Sequence, residues 1–428
     1  MSELPKSLIN LSDQMQAWFP EAVLNDLKEA GRLACEQGIS LFLIGGNIRD
    51  MLLHRPFDND VDLVSESLEL ISFVKALHRT WGGECLTYPQ YGTATLRRTP
   101  LEFDFATART EVYASPGANP QVRFSPLKAD LFRRDFTVNA MAVNLWPDQW
   151  GDLIDPFAGF QDLQKRELRT WTQSKFSEDP VRIWRLARLS QTLHFDIDPV
   201  TCEWAHQAME NQQFDGFLTA RIRRELQKIL KSAKPTQLLP GFNQLELWRC
   251  LSANFDFKHF KSLCERLEHV LPLFPEVDSE SCFVMACLSC MPQVDLARQI
   301  PLFELTKQQM RQWQQIQDLN HLSDWGSIKA SVAYERLQIC TSEVICFLSA
   351  SKDDSALAGI LQAYWTQWRL IKPVVSGTML KEWMPAGPGI RQVLQKLKHA
   401  YLDQEIQTAE QELAMVQELI KNREYENL

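Results

Sequence analysis

The sequence predicts an α+β fold in which a mixed sheet with helices is followed by helices alone. Alternating strand and helix patterns fill the chain up to about Trp146, and the strand pattern nearly disappears beyond that residue. Proline and glycine then interrupt the helical pattern at 235–241 and 373–377. We therefore expect four domains: a head at 1–146, a helical neck at 147–236, a helical body at 237–370 and a helical tail at 371–428.

The composition is ordinary for a globular protein without a membrane span. Of the 428 residues, 45% are hydrophobic and 23% are charged, and no apolar stretch approaches the roughly 20 residues that cross a bilayer. The polar N-terminal segment lacks the apolar core of a signal peptide. We expect a cytoplasmic protein whose ten cysteines stay reduced and pack as small hydrophobic side chains.

A turn suited to phosphate binding is predicted at Gly45 and Gly46. Residues 40–44 form a short apolar run typical of a buried strand, and the two glycines interrupt it before a helical pattern at 47–54. Glycine lets a triphosphate approach the backbone, and the helix start offers unpaired N–H groups and a partial positive charge. Arg49, in the first turns of this helix, can add a charge-assisted contact.

Two carboxylates follow this turn on a predicted strand at 60–64. Asp60 and Asp62 are two residues apart, so both project to the same face of the strand. The alternating segment 101–106 supplies Asp104 as a candidate third acid, with its phenylalanines directed to the core. Such oxygen ligands suit Mg²⁺, and two ions can hold the attacking and leaving oxygens of an in-line displacement. Either element alone is more often an ordinary turn or strand end, but together they predict a nucleotidyltransferase centre.

A basic helical segment at 221–234 is the densest positive cluster in a chain of net charge −9. The net charge argues against indiscriminate nucleic-acid binding, because phosphate neutralisation needs clustered Lys and Arg. The helical pattern places Arg221, Arg224 and Lys228 along one side and makes them candidate RNA-binding residues. A merely solvated basic face is an equally good interpretation of this segment alone.

Several motifs resemble those of one known family. The segment 133–142, RRDFTVNAMA, resembles the signature of the class II tRNA nucleotidyltransferase and bacterial poly(A) polymerase family. The Gly-Gly and Asp-x-Asp elements resemble that family's first motif. Further matches are DPFAG at 155–159, EDPVRIWR at 178–185 and, in the tail, VSG at 375–377, PG at 388–389 and AYLD at 400–403. The resemblance is dense in the first half and loose in the last sixty or so residues, whereas about 240 to 370 matches only in helical character.

This resemblance implies a polymerase-β-like nucleotidyltransferase head followed by an all-α neck, body and tail. It also implies template-independent addition of C and/or A from CTP and ATP to the tRNA 3′ end, with release of pyrophosphate. Asp60 and Asp62 would bind two Mg²⁺ ions, and Asp104 would orient the ion that activates the 3′ hydroxyl. The helical domains would grip tRNA mainly through its backbone and shape. The sequence points to no protein partner.

The Glu-Asp-x-x-Arg element has a definite chemical use. Asp179 and Arg182 fall on the same side of a first helical turn. A carboxylate accepts from an exocyclic amino group and a guanidinium donates to a ring nitrogen, so the pair fits cytosine and adenine, whereas uracil and guanine present the reverse pattern. From the residues alone, an ordinary N-cap role for Asp179 is equally good; the resemblance favours base selection.

The resemblance assigns further residues to the nucleotide pocket. Arg134, Asp135 and Asn139 would hold the ribose and order the pocket, and Arg185 would join them from the Glu-Asp-x-x-Arg segment. The simpler alternative is a salt-bridged turn between strand and loop. The stretch 110–124, which contains proline and glycine, would influence whether C, A or both are added.

Two alternative functions remain at this stage. A poly(A) polymerase uses the same motifs, but such enzymes tend to carry basic extensions and this acidic chain ends at 424–428 without one. An RNA-binding protein that has lost catalysis would predict a damaged set of acids. Four positions depart from the family pattern: His54, where glycine is frequent, Asn59 before the acid pair, Ala220 in place of glutamate, and Met379 in place of an acid.

Overall fold

The computed structural model describes residues 9–112, 121–211, 219–322, 324–352 and 355–422. The chain divides into two compact units: Met1–Leu226 with Pro240–Leu247, and Gln227–Leu239 with Trp248–Leu428. No helix among the described residues is long and apolar enough to span a membrane. The predicted α+β class is confirmed, while the four-domain division stays a prediction.

The strands all lie in the first unit as far as the described residues extend. They are β1 Phe42–Ile44, β2 Asp60–Ser65, β3 Glu84–Tyr88, β4 Thr93–Arg98, β5 Leu101–Thr107, β6 Arg109–Val112, β7 Gln121–Phe124, β8 Ala142–Asn144, β9 Leu153–Ile154, β10 Glu167–Leu168 and β11 Asp196–Ile197. Seven of them form one mixed sheet in the order β3-β4-β5-β2-β1-β8-β9, in which β2 and β5 are parallel and the other neighbours are antiparallel.

The helices up to residue 247 surround this sheet or follow it. They are α1 Ser12–Trp18, α2 Glu21–Glu36, α3 Gly46–Leu52, α4 Leu70–Trp81, α5 Leu127–Arg133, α6 Gly159–Lys165, α7 Ser174–Glu178, α8 Val181–Leu193, α9 Pro199–Asn211, α10 Ala220–Leu230 and α11 Leu239–Gln244. In α4, Leu70, Phe73, Val74 and Leu77 are buried. Their spacing of three and four residues places one apolar face against the sheet.

From residue 248 onward the described chain is helical. Its helices are α12 Phe257–Val270, α13 Ser279–Ser289, α14 Gln293–Phe303, α15 Lys307–Asn320, α16 Ala330–Leu337, α17 Ser342–Ser351, α18 Ser355–Thr366, α19 Gly377–Trp383, α20 Pro388–Leu402 and α21 Ala409–Lys421. Thr306 and Gln309 form a reciprocal capping box at the start of α15. Cys282 and Cys287 are fully buried in α13, as expected for thiols packed in a helical core.

The predicted strand–turn–helix element is present with slightly different limits. The strand covers Phe42–Ile44 and the helix Gly46–Leu52, so the apolar run and the glycine pair located the turn correctly. The sheet extends past Trp146, because β9 pairs antiparallel with β8. The stretch 110–124 begins and ends in the β6–β7 hairpin, and its residues 113–120 lie outside the described part of the chain.

Candidate active site

Three of the predicted acids lie on the neighbouring parallel strands β2 and β5. Asp62 stands directly opposite Asp104 in the parallel register, and Asp60 stands opposite Glu102. Val61 is fully buried between the two β2 acids, so Asp60 and Asp62 share the face that points away from the core. The structure therefore brings the predicted third acid to the neighbouring strand, as the sequence predicts.

Repulsion and burial raise the pKa values of these acids. The pKa of Asp60 is raised to about 6, first by burial and then by the negative charges of Asp62 and Asp104. Burial also raises the pKa of Asp62, while the Arg134 guanidinium opposes that shift. A cluster of carboxylates that repel one another is stabilised by a hard divalent cation.

Among the described residues, no three acidic, histidine or cysteine side chains converge as a ready-made metal cage. Mg²⁺ is normally held by one or two carboxylates together with water and substrate phosphates. The acid pair on β2, with Asp104 beside it, fits that kind of open site, in which the remaining ligands come from the nucleotide and from water.

Two polar side chains that the sequence did not single out hold the acid-bearing strands. The Asn47 side chain accepts from the Asp62 N–H at 2.9 Å and donates to the Asp60 carbonyl at 2.7 Å. It thereby fixes α3 to the backbone of the two acids. The Thr95 hydroxyl donates to Asp104 Oδ1 at 2.5 Å. Asn47 was identifiable as the first polar residue after the glycine pair, and Thr95 lies on an ordinary alternating strand that gives no such signal.

Gly45 occupies a backbone conformation that favours glycine. Its φ is +75°, and a Cβ placed on it would lie 2.8 Å from Arg134 Nη1 and 4.0 Å from Asp62 Oδ2. The absence of a side chain therefore allows the Arg134 guanidinium to approach the turn. Gly46 begins α3, where a Cβ would meet only Arg49 Nη2, at 3.6 Å.

Arg49 lies beside this turn but is already engaged by its neighbours. It donates to Asn139 Oδ1 at 2.7 Å and forms two hydrogen bonds to Asp50, at 3.0 Å and 2.7 Å. The contact with Asn139 joins two motifs that are 90 residues apart in sequence. Arg49 therefore links the turn to the Arg-Arg-Asp segment, and its predicted contact with triphosphate stays a prediction.

Asp135 is the centre of a buried polar network. One carboxylate oxygen accepts from the Phe136 N–H at 2.9 Å and from Asn139 Nδ2 at 3.1 Å, while the other accepts from Arg185 Nε at 2.6 Å. Burial alone would raise the pKa of Asp135, but the Arg185 guanidinium and these hydrogen bonds hold it well below its ordinary value. The predicted residues Asp135, Asn139 and Arg185 thus form one ordered cluster.

Asp179 and Arg182 are both buried and both have protein partners. Arg221 donates to the two Asp179 oxygens at 3.0 Å and 2.7 Å. Arg182 donates to the carbonyls of Lys175 and Arg133 at 3.0 Å and 2.8 Å. The helix itself begins at Val181 after Pro180, and Asp179 Oδ1 accepts from the Val181 N–H at 3.3 Å. Asp179 therefore accepts a hydrogen bond at the helix start and pairs with Arg221, and its predicted role in base recognition stays a prediction.

The basic helix α10 does not present all three predicted RNA-binding residues in the same way. Arg221 is turned onto Asp179 and forms an ion pair with it, and its predicted RNA contact stays a prediction. Arg224 and Lys228 are exposed on α10. Their RNA-binding role stays a prediction.

Comparisons with known proteins agree with this geometry. Residues 41–169 match the family described as the poly A polymerase head domain. The chain is 28% identical over 380 residues to the A-adding tRNA nucleotidyltransferase of Halalkalibacterium halodurans, covering 87% of each protein. The chain is therefore similar to tRNA nucleotidyltransferases over most of its length, and its residues 41–169 are similar to a poly(A) polymerase head domain. The A-adding relative from Geobacter sulfurreducens is 26% identical over 93% of this chain, which spans only 47% of that protein.

Solved structures of CCA-adding enzymes resemble most of the chain. The Thermotoga maritima CCA-adding enzyme complexed with tRNA is 25% identical, with a TM-score of 0.78 that covers 95% of this chain and 98% of that one. A CCA-adding enzyme complexed with ATP is also 25% identical, with a TM-score of 0.78 that covers 96% and 97%. These two structures are a tRNA complex and a nucleotide complex of enzymes with this fold.

Two departures from the family pattern have a backbone explanation. His54 has a φ of +53° and Asn59 a φ of +68°. Glycine adopts such angles without strain, and Asn and His tolerate them better than most other residues. Of the other two departures, Ala220 begins α10 and Met379 is exposed on α19.

Proposed function

We propose that this protein is a template-independent tRNA nucleotidyltransferase that adds C and/or A from CTP and ATP to the tRNA 3′ end. The observation that carries the proposal is the register of β2 and β5, which sets Asp62 opposite Asp104 beside the Gly45 turn and Arg134. Relatives named as A-adding enzymes and a structure of a CCA-adding enzyme with tRNA support the choice of substrate. This substrate favours the cytoplasm, and no protein partner is needed for the reaction.

The proposed chemistry is an in-line displacement at the α-phosphorus. Asp60 and Asp62 would hold two Mg²⁺ ions, and Asp104 would help to orient one of them. Bound there, Mg²⁺ would lower the pKa of the attacking hydroxyl and neutralise charge on the phosphates. Asn47 holds the backbone of both β2 acids, so the carboxylates are in position before the nucleotide arrives.

The triphosphate would bind at the turn. Gly45 leaves room for the Arg134 guanidinium, which would contact phosphate oxygens together with Arg49 and the N–H groups at the start of α3. The Asp135–Asn139–Arg185 cluster would hold the ribose edge of the pocket, since its hydrogen bonds fix these side chains. Positioning and charge stabilisation would account for most of the rate.

Base selection would fall to Asp179 and Arg182. Since Arg221 occupies both Asp179 oxygens, an incoming cytosine or adenine would have to share that carboxylate with Arg221 or displace one of its hydrogen bonds. A carboxylate has about four acceptor positions, so it can accept from a guanidinium and an amino group together.

The deciding experiment supplies purified protein and Mg²⁺ with tRNAs ending at the discriminator base, at C and at CC, with CTP, ATP or both. Addition of CCA to the bare end would establish complete end synthesis, whereas growth that stops at CC, or that starts only from CC, would establish a divided activity. The Asp60→Ala/Asp62→Ala protein should be inactive, and Asp148→Ala, at an exposed acid outside the site, should retain activity.

Two outcomes would redirect the proposal. Long A tails of unlimited length would assign the chain to poly(A) polymerase, the activity named in the matched head domain. The other outcome is that both the unaltered protein and Asp148→Ala bind tRNA but incorporate no nucleotide on any end. This result would contradict the enzymatic function and leave an RNA-binding protein.

A further inference from the structure

Lys175 is a buried lysine outside the predicted motif residues. It lies in α7 with only 2% of its surface exposed. Its ammonium nitrogen lies 4.5 Å from the centre of the Phe132 ring and 4.9 Å from that of Trp171. It also donates a short hydrogen bond to the carbonyl oxygen of Phe132. Two ring faces and one carbonyl therefore surround this cation.

The Phe132 carbonyl belongs to the last turn of α5, which ends at Arg133. The last carbonyls of a helix have no partner within the helix, and they carry the negative end of the helix dipole. Lys175 satisfies one of them, and Arg182 satisfies the next by donating to the Arg133 carbonyl at 2.8 Å. Two buried cations from the α7–α8 segment thus cap the C-terminus of α5.

The same two residues are also joined to each other. Arg182 Nη1 donates to the Lys175 carbonyl at 3.0 Å, so Lys175, Arg182 and the end of α5 form a closed set of contacts. The chain continues from α5 directly into Arg134 and Asp135. Lys175 therefore connects the residue proposed to read the base with the residues proposed to hold the triphosphate and ribose.

Burial of this ammonium is costly. Burial and the nearby Arg182 charge lower the pKa of Lys175 to about 7, and Arg133 adds to the repulsion while Glu178 and Asp135 oppose it. A methionine would occupy a similar volume against the two rings without that cost. What the lysine adds is its hydrogen bond to α5.

We propose that Lys175 is a positioning residue that sets the base-reading pair at a fixed distance from the triphosphate site and so determines nucleotide selectivity. This inference rests on the proposed function. A base recognised by Asp179 and Arg182 is incorporated only if its α-phosphorus also reaches the acids, so a shift of α7 and α8 relative to α5 weakens the correct nucleotides most. Uracil and guanine are not recognised by Asp179 and Arg182, so the same shift lowers the incorporation of UTP and GTP less.

The test compares Lys175→Met with Lys128→Met, an exposed lysine on α5 itself, far below their unfolding temperatures. For Lys175→Met we expect KM for ATP and CTP to rise about tenfold with a smaller fall in kcat, and the preference over UTP and GTP to fall about tenfold. Lys175→Arg, which retains a donor, should restore most of the preference, and Lys128→Met should match the unaltered protein.

Hydrogen exchange provides a second readout that does not depend on turnover. Amides of residues 133–140 should lose protection in Lys175→Met and keep it in Lys128→Met. Unchanged KM, selectivity and protection in Lys175→Met would overturn the inference.

If Lys175→Met does not fold, Lys175→Gln, whose amide is too short to reach Phe132, replaces it. If the unaltered protein incorporates no nucleotide, the proposed function fails, and the exchange comparison alone decides the role of Lys175.

Discussion

At the scale of single residues, Asp60 carries a charge that the fold does not compensate. Its pKa is raised from 3.8 to about 6 by burial and by Asp62 and Asp104. A raised carboxyl pKa means that the folded state disfavours the ionised form, so this destabilisation is absent below pH 4 and fully present above pH 6. A cation bound beside Asp60, as proposed for Mg²⁺, would offset this destabilisation.

The raised pKa of Asp60 leads to a prediction for the stability of Asp60→Asn. In EDTA at pH 7.5, the free energy of unfolding in urea should rise by about 1 kcal/mol. This value is smaller than the pKa shift alone implies, because solvent screens the partly exposed carboxylate. At pH 4 the substitution should change little, because Asp60 is then mostly protonated. Asp148→Asn, at an exposed acid, is the control at both pH values. A fall in stability at pH 7.5 would show that Asp60 is not repelled by its neighbours.

Asp179 allows its two roles to be separated by one substitution. Asn and Asp are equally good at helix starts, so Asp179→Asn leaves a capping role intact. It changes one acceptor into a donor, however, and weakens the bidentate pair with Arg221. If Asp179 reads the base, the preference for ATP and CTP over UTP and GTP should fall about ten- to a hundredfold.

The measurement for Asp179→Asn is single-nucleotide incorporation with each of the four triphosphates. The Arg224→Met protein, altered at an exposed position one turn along α10 from Arg221, controls for effects on that helix and should keep the nucleotide preference. An unchanged preference in Asp179→Asn would contradict base reading and leave helix capping and the pair with Arg221 as the roles of this carboxylate.

At the scale of elements, the turn between β1 and α3 depends on glycine at one position. Gly45→Ala meets two obstacles, a φ of +75° and a Cβ 2.8 Å from Arg134 Nη1. The guanidinium can move aside, but the backbone angle cannot, so we expect a loss of about 1–2 kcal/mol in stability. Displacement of Arg134 from the turn should also raise KM for nucleotide about tenfold.

Gly38→Ala is the matched control for this element. Gly38 has a φ of +67° with no atom within 4 Å of its Cβ position, so its replacement causes backbone strain without disturbing Arg134. It should lower stability by a similar amount and leave KM unchanged. Unfolding curves and nucleotide kinetics on both variants check this, and an equal KM effect would show that strain, not Arg134, controls nucleotide binding.

Local patterns predicted the elements of the site better than its contacts. Strand alternation was enough to predict Asp60, Asp62 and Asp104 on one face, because side-chain direction follows from residue spacing. The pairs Arg49–Asn139 and Asp179–Arg221 join residues 90 and 42 positions apart. No periodicity encodes such contacts, since they depend on how separate elements pack. For the same reason the sequence did not predict the hydrogen bond of Lys175 to the Phe132 carbonyl.

At the scale of the whole molecule, every residue proposed for the chemistry lies in the first compact unit, and the tail lies in the second. The tail has its own core, which contains Val375, Leu397 and Val416. The carboxylate of Glu412, fully buried beside this core, accepts from the N–H groups of Val374 and Val375 and from the Tyr401 hydroxyl. This carboxylate therefore fastens the start of the tail to α20 and α21.

Glu412→Ala should separate the contributions of the two units. Removing this carboxylate leaves two backbone N–H groups and a hydroxyl without their partner, which costs about 2–4 kcal/mol, and hydrogen exchange should rise across 374–420. The affinity for ATP and CTP should stay within twofold, because the proposed nucleotide residues all belong to the first unit. If the tail binds tRNA, the KM for tRNA should rise at least tenfold. Glu410→Ala, at an exposed acid on the same helix, should leave hydrogen exchange, nucleotide affinity and the KM for tRNA unchanged.

A loss of nucleotide affinity in Glu412→Ala alone would mean that the second unit shapes the nucleotide pocket. An unchanged KM for tRNA in Glu412→Ala would remove the tail from the predicted tRNA-binding surface.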